Sequence, residues 1–175
     1  MESITESDFI LRAQQENCRA NLSERFSAIA PSYVRYKCFA QELLSKKTFP
    51  TWRTNRDGTE YIGACEIPRS QAFPITYSDL SKKPHLFPKI NFDDKENYLK
   101  SACAISFHCE GCGVHVIKDG NHRLLQCALY GLNPELEVYQ VNSRDWSSCN
   151  VDMKNFCECI SNTTFYRTRQ KVPRL

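Results

Sequence analysis

Between Val114 and Val141 the apolar period of the chain changes twice, and this constrains the fold more than any other stretch. Val114-His115-Val116-Ile117 is a short apolar run that reads as a strand. Asp119-Gly120 follows as a turn, and Leu124, Leu125, Ala128 and Leu129 then repeat at helical spacing. Gly131 and Pro134 end that helix, and Leu136-Glu137-Val138-Tyr139-Gln140-Val141 reads as the next strand. A strand, a glycine turn, a helix and a second strand must therefore lie within thirty residues of one another.

Such a unit has a chemical consequence. The first N–H groups of a helix have no partner within it, and the helix dipole adds partial positive charge at the same end. The turn is thus a ready phosphate site. Gly120 lets the backbone approach, Asn121 and His122 offer donors, and Arg123 offers a planar fork and a permanent charge. Lys118 and Arg69 would extend the cationic lining. Asp119 would hold a magnesium ion or accept a proton from an attacking water or hydroxyl. Capping the helix through the 121–123 amides is an equally good use of the same carboxylate.

Asp119-Gly120-Asn121-His122-Arg123 at a strand-to-helix turn, followed by Leu-Leu-Gln-Cys-Ala-Leu-Tyr-Gly-Leu, resembles the ParB/sulfiredoxin-like superfamily. ParB proteins carry Gly-x-x-Arg-x-x-x-Ala here; Gly120 and Arg123 match, and Ala128 is displaced by one place past Cys127. Sulfiredoxin carries Gly-Cys-His-Arg, and free-serine kinases carry Asp-Gly-His-His-Arg, which Asp119 to Arg123 match at all but one residue. The resemblance covers about residues 60–146, and its specific part is the five-residue core. It implies a nucleotide such as ATP, ADP or CTP, with magnesium, held by its phosphates at this turn. It also implies an upstream acid, for which Glu66 is the candidate, and an upstream box surviving as Ile67-Pro68-Arg69. Asn121 stands where sulfiredoxin has its cysteine, which argues against cysteine-sulfinate repair. No helix-turn-helix segment follows, as a full partition protein would have.

A chain of 175 residues suits one domain with a real core. Its 41% apolar and 25% charged content are those of an ordinary globular protein, and a net charge of +3 is too small to imply nucleic acid by itself. No apolar run reaches membrane-spanning length, so no membrane partner is expected. The acidic start, Met1-Glu2-Ser3-Ile4-Thr5-Glu6, is unlike a secretory signal, which points to the cytoplasm or to signal-independent export.

The ten cysteines lack the spacing of a small disulfide scaffold, so reduced thiols are expected. Cys109 and Cys112, with Cys157 and Cys159, would number four thiolates for a structural zinc. Against this, Cys157 and Cys159 would point to different faces of a helix. Glu110-Gly111 also reads as the turn of a hairpin joining 102–108 to 113–117. The hairpin is the stronger reading, and zinc is disfavoured.

Three segments organise the chain: 1–59 as a helical extension packed on the core, 60–146 as the ParB/sulfiredoxin-like domain, and 147–175 as a helix with a basic tail. In the first, a helix is expected over 7–29, capped by Ser7 or Asp8. A second is expected over 32–45, with Val34, Cys38, Phe39 and Leu43 inward, and then loop over 46–59. A strand is expected over 61–67, a proline-rich connection over 68–92 with a helical turn at 76–82, and a helix over 93–101. His115 faces away from Val114 and Val116 and reads as structural. Past Trp146 a short helix capped by Asn150 leads to Arg167, Arg169, Lys171 and Arg174, a basic tail that is either simply solvated or a nucleic-acid contact.

The expected fold is α+β or α/β, a small mixed sheet with flanking helices. The expected function is a nucleotide-binding enzyme that hydrolyses or transfers a phosphoryl group, with Asp119, His122 and Glu66 as catalytic groups. Two alternatives stand beside it. One is a metal-dependent nuclease, with Arg69 and the basic tail tracking a phosphate backbone and a delivered toxin as one possible setting. The other is a nucleotide-gated module that binds DNA or protein without turnover.

Overall fold

The computed structural model describes residues 1–15, 30–51, 53–54, 56–58, 60–62, 67–68, 75–86, 103–144 and 146. In chain order these form β1 (Glu2–Ile4), α1 (Glu6–Gln15), β2 (Ser32–Phe39), α2 (Ala40–Leu44), β3 (Lys47–Pro50), β4 (Arg53–Thr54), β5 (Glu60–Ile62) and β6 (Ile67–Pro68). They continue with α3 (Tyr77–Leu80), a 3-10 turn at Pro84–Leu86, β7 (Cys103–Cys109), β8 (Val114–Asp119), α4 (Asn121–Tyr130) and β9 (Glu135–Ser143).

Six strands make one mixed sheet in the order β1-β2-β9-β7-β8-β3. Its pairings are antiparallel except for β7 with β9 and β3 with β8. With helices packed against it, the fold is α+β. β4, β5 and β6 form a separate small antiparallel sheet, and Ile67 of β6 reaches the common core.

Each sheet face has its own cover. Tyr33, Tyr139 and Phe107 share a face with α1 and Trp146. Phe9 of α1 meets the Tyr33 ring at 5.4 Å, Arg12 sits 5.4 Å over Tyr139, and Trp146 stacks on Phe107 at 5.3 Å. The alternate residues Ala104, Ile117, Leu136, Val138 and Cys38 are buried on the opposite face. There the β8–α4 turn closes on Ala104. Gln41 of α2 ties to α4 by donating to the carbonyls of Cys127 and Leu132 at 3.1 and 2.8 Å. The helix therefore ends where Gly131, in the left-handed region at φ +65°, turns the chain toward β9.

Several expectations hold. The 103–109/114–119 hairpin, the helix at 121–130, the following strand and a helical turn within 76–82 are all present. Others need correction. The segment 32–39 is a strand rather than the first half of a helix, and only 40–44 is helical. Val34 and Cys38 do lie at helical spacing, but Val34, Tyr36 and Cys38 also alternate with Arg35 and Lys37, and pairing with β9 over eight residues decides for the strand. The expected loop over 46–59 contains β3 and β4, with β3 at the sheet edge beside β8. The first helix is capped by Thr5, not Ser7 or Asp8. Thr5 Oγ1 accepts from the Asp8 amide at 3.1 Å, and the Asp8 carboxylate accepts from the Thr5 amide at 3.3 Å in a reciprocal capping box. The expected strand over 61–67 divides into β5 and β6. The helices expected over 93–101 and after Asn150, and the first helix beyond Gln15, lie outside the described residues.

Candidate functional site

The strand β8 delivers its last residue, Asp119, to the turn. Gly120 then adopts φ +90°, and α4 begins at Asn121. A side chain here is excluded twice. The backbone is in the left-handed region, and a Cβ would lie 2.9 Å from the Cys103 carbonyl oxygen and 3.3 Å from Ala104 Cα. The glycine therefore seats the turn directly on the start of β7, and it brings no side chain to cap the amides of a ten-residue helix. Next to the turn the β7–β8 ladder is irregular: Ile105 faces Asp119 and Ser106 faces Ile117, leaving Lys118 as an extra residue. Bulges of this kind often re-aim side chains beside functional sites.

The side chains predicted for the site divide among different tasks. Asn121 turns inward. Its Oδ1 accepts from the Thr51 amide at 3.2 Å and from the Tyr77 hydroxyl, and its Nδ2 donates to Thr51 Oγ1 at 2.9 Å and the Ile117 carbonyl at 3.1 Å. Two donors and two acceptor positions are the whole capacity of an amide side chain. Asn121 thus joins β3, α3, β8 and α4, and only its backbone amide is left to serve a ligand. Arg123 is half-buried, and its Nη1 donates to the Cys103 carbonyl at 2.6 Å, fixing the guanidinium over the start of β7. The Lys118 ammonium lies 5.5 Å from the Phe107 ring centroid, on the face that carries Trp146. Asp119 and His122 are half-buried on either side of Gly120. Glu66 and Arg69 lie outside the described residues, as do Cys157, Cys159 and the basic tail.

Among the described residues, a magnesium ion at this turn would find the Asp119 carboxylate. Among the described residues no group of three or more His, Cys, Asp or Glu side chains could hold a metal. One carboxylate fits magnesium that arrives on nucleotide phosphates and keeps most of its water, because magnesium is seldom held in an all-protein cage. The chemistry such an ion would supply is neutralisation of phosphate charge. Glu110 to Gly113 form the turn of the β7–β8 hairpin, as expected from Glu110-Gly111.

Sequence reading missed two partners of the turn and one cluster. Thr51 and Tyr77 hold Asn121, and nothing local to either residue announces it. The cluster is His108 and His115, whose rings stack at 4.2 Å and 15°. Here a signal existed, since a hairpin turning at 110–113 puts His108 opposite His115. His108 Nδ1 meets Asn142 Oδ1 at 3.0 Å, Gln140 Nε2 donates to the same oxygen at 2.7 Å, and the Tyr36 hydroxyl donates to Gln140 Oε1 at 2.9 Å. His115 is only 7% exposed, and burial, then His108 and Lys46, hold its pKa down to about 4. It is a neutral, buried imidazole, in keeping with a structural residue.

No protein-family model, curated protein or solved structure matches this chain.

Proposed function

We propose that the chain is a nucleotide-binding enzyme that hydrolyses or transfers a phosphoryl group, with the phosphates seated on the first-turn amides of α4. The observation that supports this reading is the seat at Gly120. Its left-handed backbone is pressed against the Cys103 carbonyl, and it opens a ten-residue helix without a side-chain cap. That is the arrangement in which amides and helix dipole together favour an anion. The likeness of Asp119 to Arg123 to the turn of ParB, sulfiredoxin and free-serine kinases supports the same assignment.

The roles follow from placement. Arg123 contributes charge from a fixed position, and His122 donates from the first turn. Asp119 either binds magnesium carried by the nucleotide or orients the attacking oxygen, since phosphoryl transfer asks for positioning and charge neutralisation more than for covalent chemistry. Asn121 builds the turn through its side chain instead of touching phosphate. Lys118, laid over Phe107, would have to swing across the bulge to take part.

The test is binding and turnover of ATP, ADP, CTP and GTP with magnesium, on wild type beside Arg123→Ala, with melting curves to confirm that the variant folds. Phosphate release that vanishes in the variant is the expected result. Nucleotide binding without release would point to the gated module. Cleavage of nucleic acid without nucleotide affinity would point to the nuclease. Absence of binding, release and cleavage would leave the turn a structural feature and overturn the proposal.

A further inference from the structure

On the sheet face opposite α1, two histidines stand directly across the β7–β8 ladder and stack at 4.2 Å. His115 is buried, and its Nδ1 has no hydrogen-bond partner. His108 is half-exposed, and its Nδ1 must carry the proton, because the Asn142 oxygen it meets is an acceptor that also receives the Gln140 amide. A proton on His115 would thus sit in a desolvated place, face to face with a second imidazole. Like charges directly opposite across a ladder repel.

We propose that the His108–His115 stack is an acid-operated latch, which holds the β3 edge against β8 while His115 is neutral and releases it when His115 takes up a proton. Thr48 of β3 is the register partner of His115 on its other side, so the two histidines and β3 share one lateral row. β3 is four residues long, lies at the edge and pairs with β8 alone within the sheet, so it has less ladder support than the inner strands beside the histidines. It leads into Thr51, whose amide and hydroxyl hold Asn121 and the Ile117 carbonyl. Release of β3 therefore loosens the turn at 119–123, whatever that turn binds.

The surroundings act in one direction. Among the described residues, Lys46 before β3 and His108 on β7 both disfavour a charged His115, and Gln140 on β9 weakly favours it. Lys46 is also held near, 5.8 Å over the Tyr36 ring. Tyr36 and Cys38 on β2 are kept neutral by burial and by Glu42 of α2. The sign follows. The folded state holds His115 neutral below its ordinary value, so the latched form is fully favoured above about pH 6.5 and loses ground as the pH falls toward 4.

The four histidines, at 85, 108, 115 and 122, make direct observation practical. The experiment follows their ring nitrogens by NMR and amide hydrogen exchange across about pH 7 to pH 4, on wild type and His115→Gln. In wild type the intrinsic-rate-corrected protection of Phe49 should fall about tenfold per pH unit, while Val138 and Val141 in the centre of the sheet stay protected. In His115→Gln that slope should vanish. Equal loss of protection at β3 and β9 would mean ordinary acid unfolding and would overturn the latch, as would an unchanged slope in the variant. Should the variant fail to fold, the wild-type ring decides: a His115 that titrates at its ordinary value with β3 still protected overturns the proposal.

Discussion

At the scale of single residues, two glycines in the left-handed region separate backbone conformation from close approach. Gly120 has φ +90° and a carbonyl where its Cβ would go; Gly131 has φ +65° and nothing within 4 Å. Alanine at Gly131 meets only the conformational penalty, about 1 kcal/mol. Alanine at Gly120 meets that penalty and must also push the Cys103 backbone aside, so its cost should be about 2–3 kcal/mol. Urea denaturation of the two variants gives the comparison, and equal losses would show that the Cys103 contact yields without resistance. Gly120 could be singled out from sequence because Asp-Gly between a strand and a helix needs such a residue. The roles of Asn121 and Arg123 could not. Both are polar first-turn residues, and only the tertiary arrangement sends the Asn121 amide to Thr51 and Tyr77 and the Arg123 guanidinium to a backbone carbonyl.

At the scale of elements, legibility followed how far local pattern and sheet position agree. In β8, α4 and β9 each segment is bounded by turn residues and keeps one period, so the reading survives. β2 carries both periods, and its strand identity comes from lying between β1 and β9, which no local window contains. β3 is four residues, Lys-Thr-Phe-Pro, too short to show a period at all. The helix α1 is a simpler case. Its reciprocal Thr5–Asp8 cap is exposed, so Thr5→Ala should remove a cap and little more. A loss of about 1 kcal/mol in denaturant unfolding is expected, with the near-ultraviolet spectrum unchanged. A loss below a few tenths would show that α1 is held by Phe9 and Ala13 in the core and gains nothing from its start.

At the scale of the whole molecule, the sheet joins strands from within residues 60–146 to strands that precede them. Residues 60–146 supply β7, β8 and β9, while β1, β2 and β3 come from residues before 60. β9 pairs with β2 along eight residues, and β8 takes β3 on its outer side. A fragment of 60–146 would therefore present two unpaired edges, bare the part of the core that Cys38, Leu43 and Leu44 now complete, and lose the Thr51 clamp on Asn121. Unpaired edges beside exposed apolar surface are the usual route to aggregation. The fragment is expected to lack a cooperative unfolding transition and to self-associate, with the full chain melting as one unit under the same conditions. Calorimetry with light scattering reads both. A fragment that melts cooperatively as a monomer would mean that the first three strands are an addition to an independent core, and that the candidate turn is built without them.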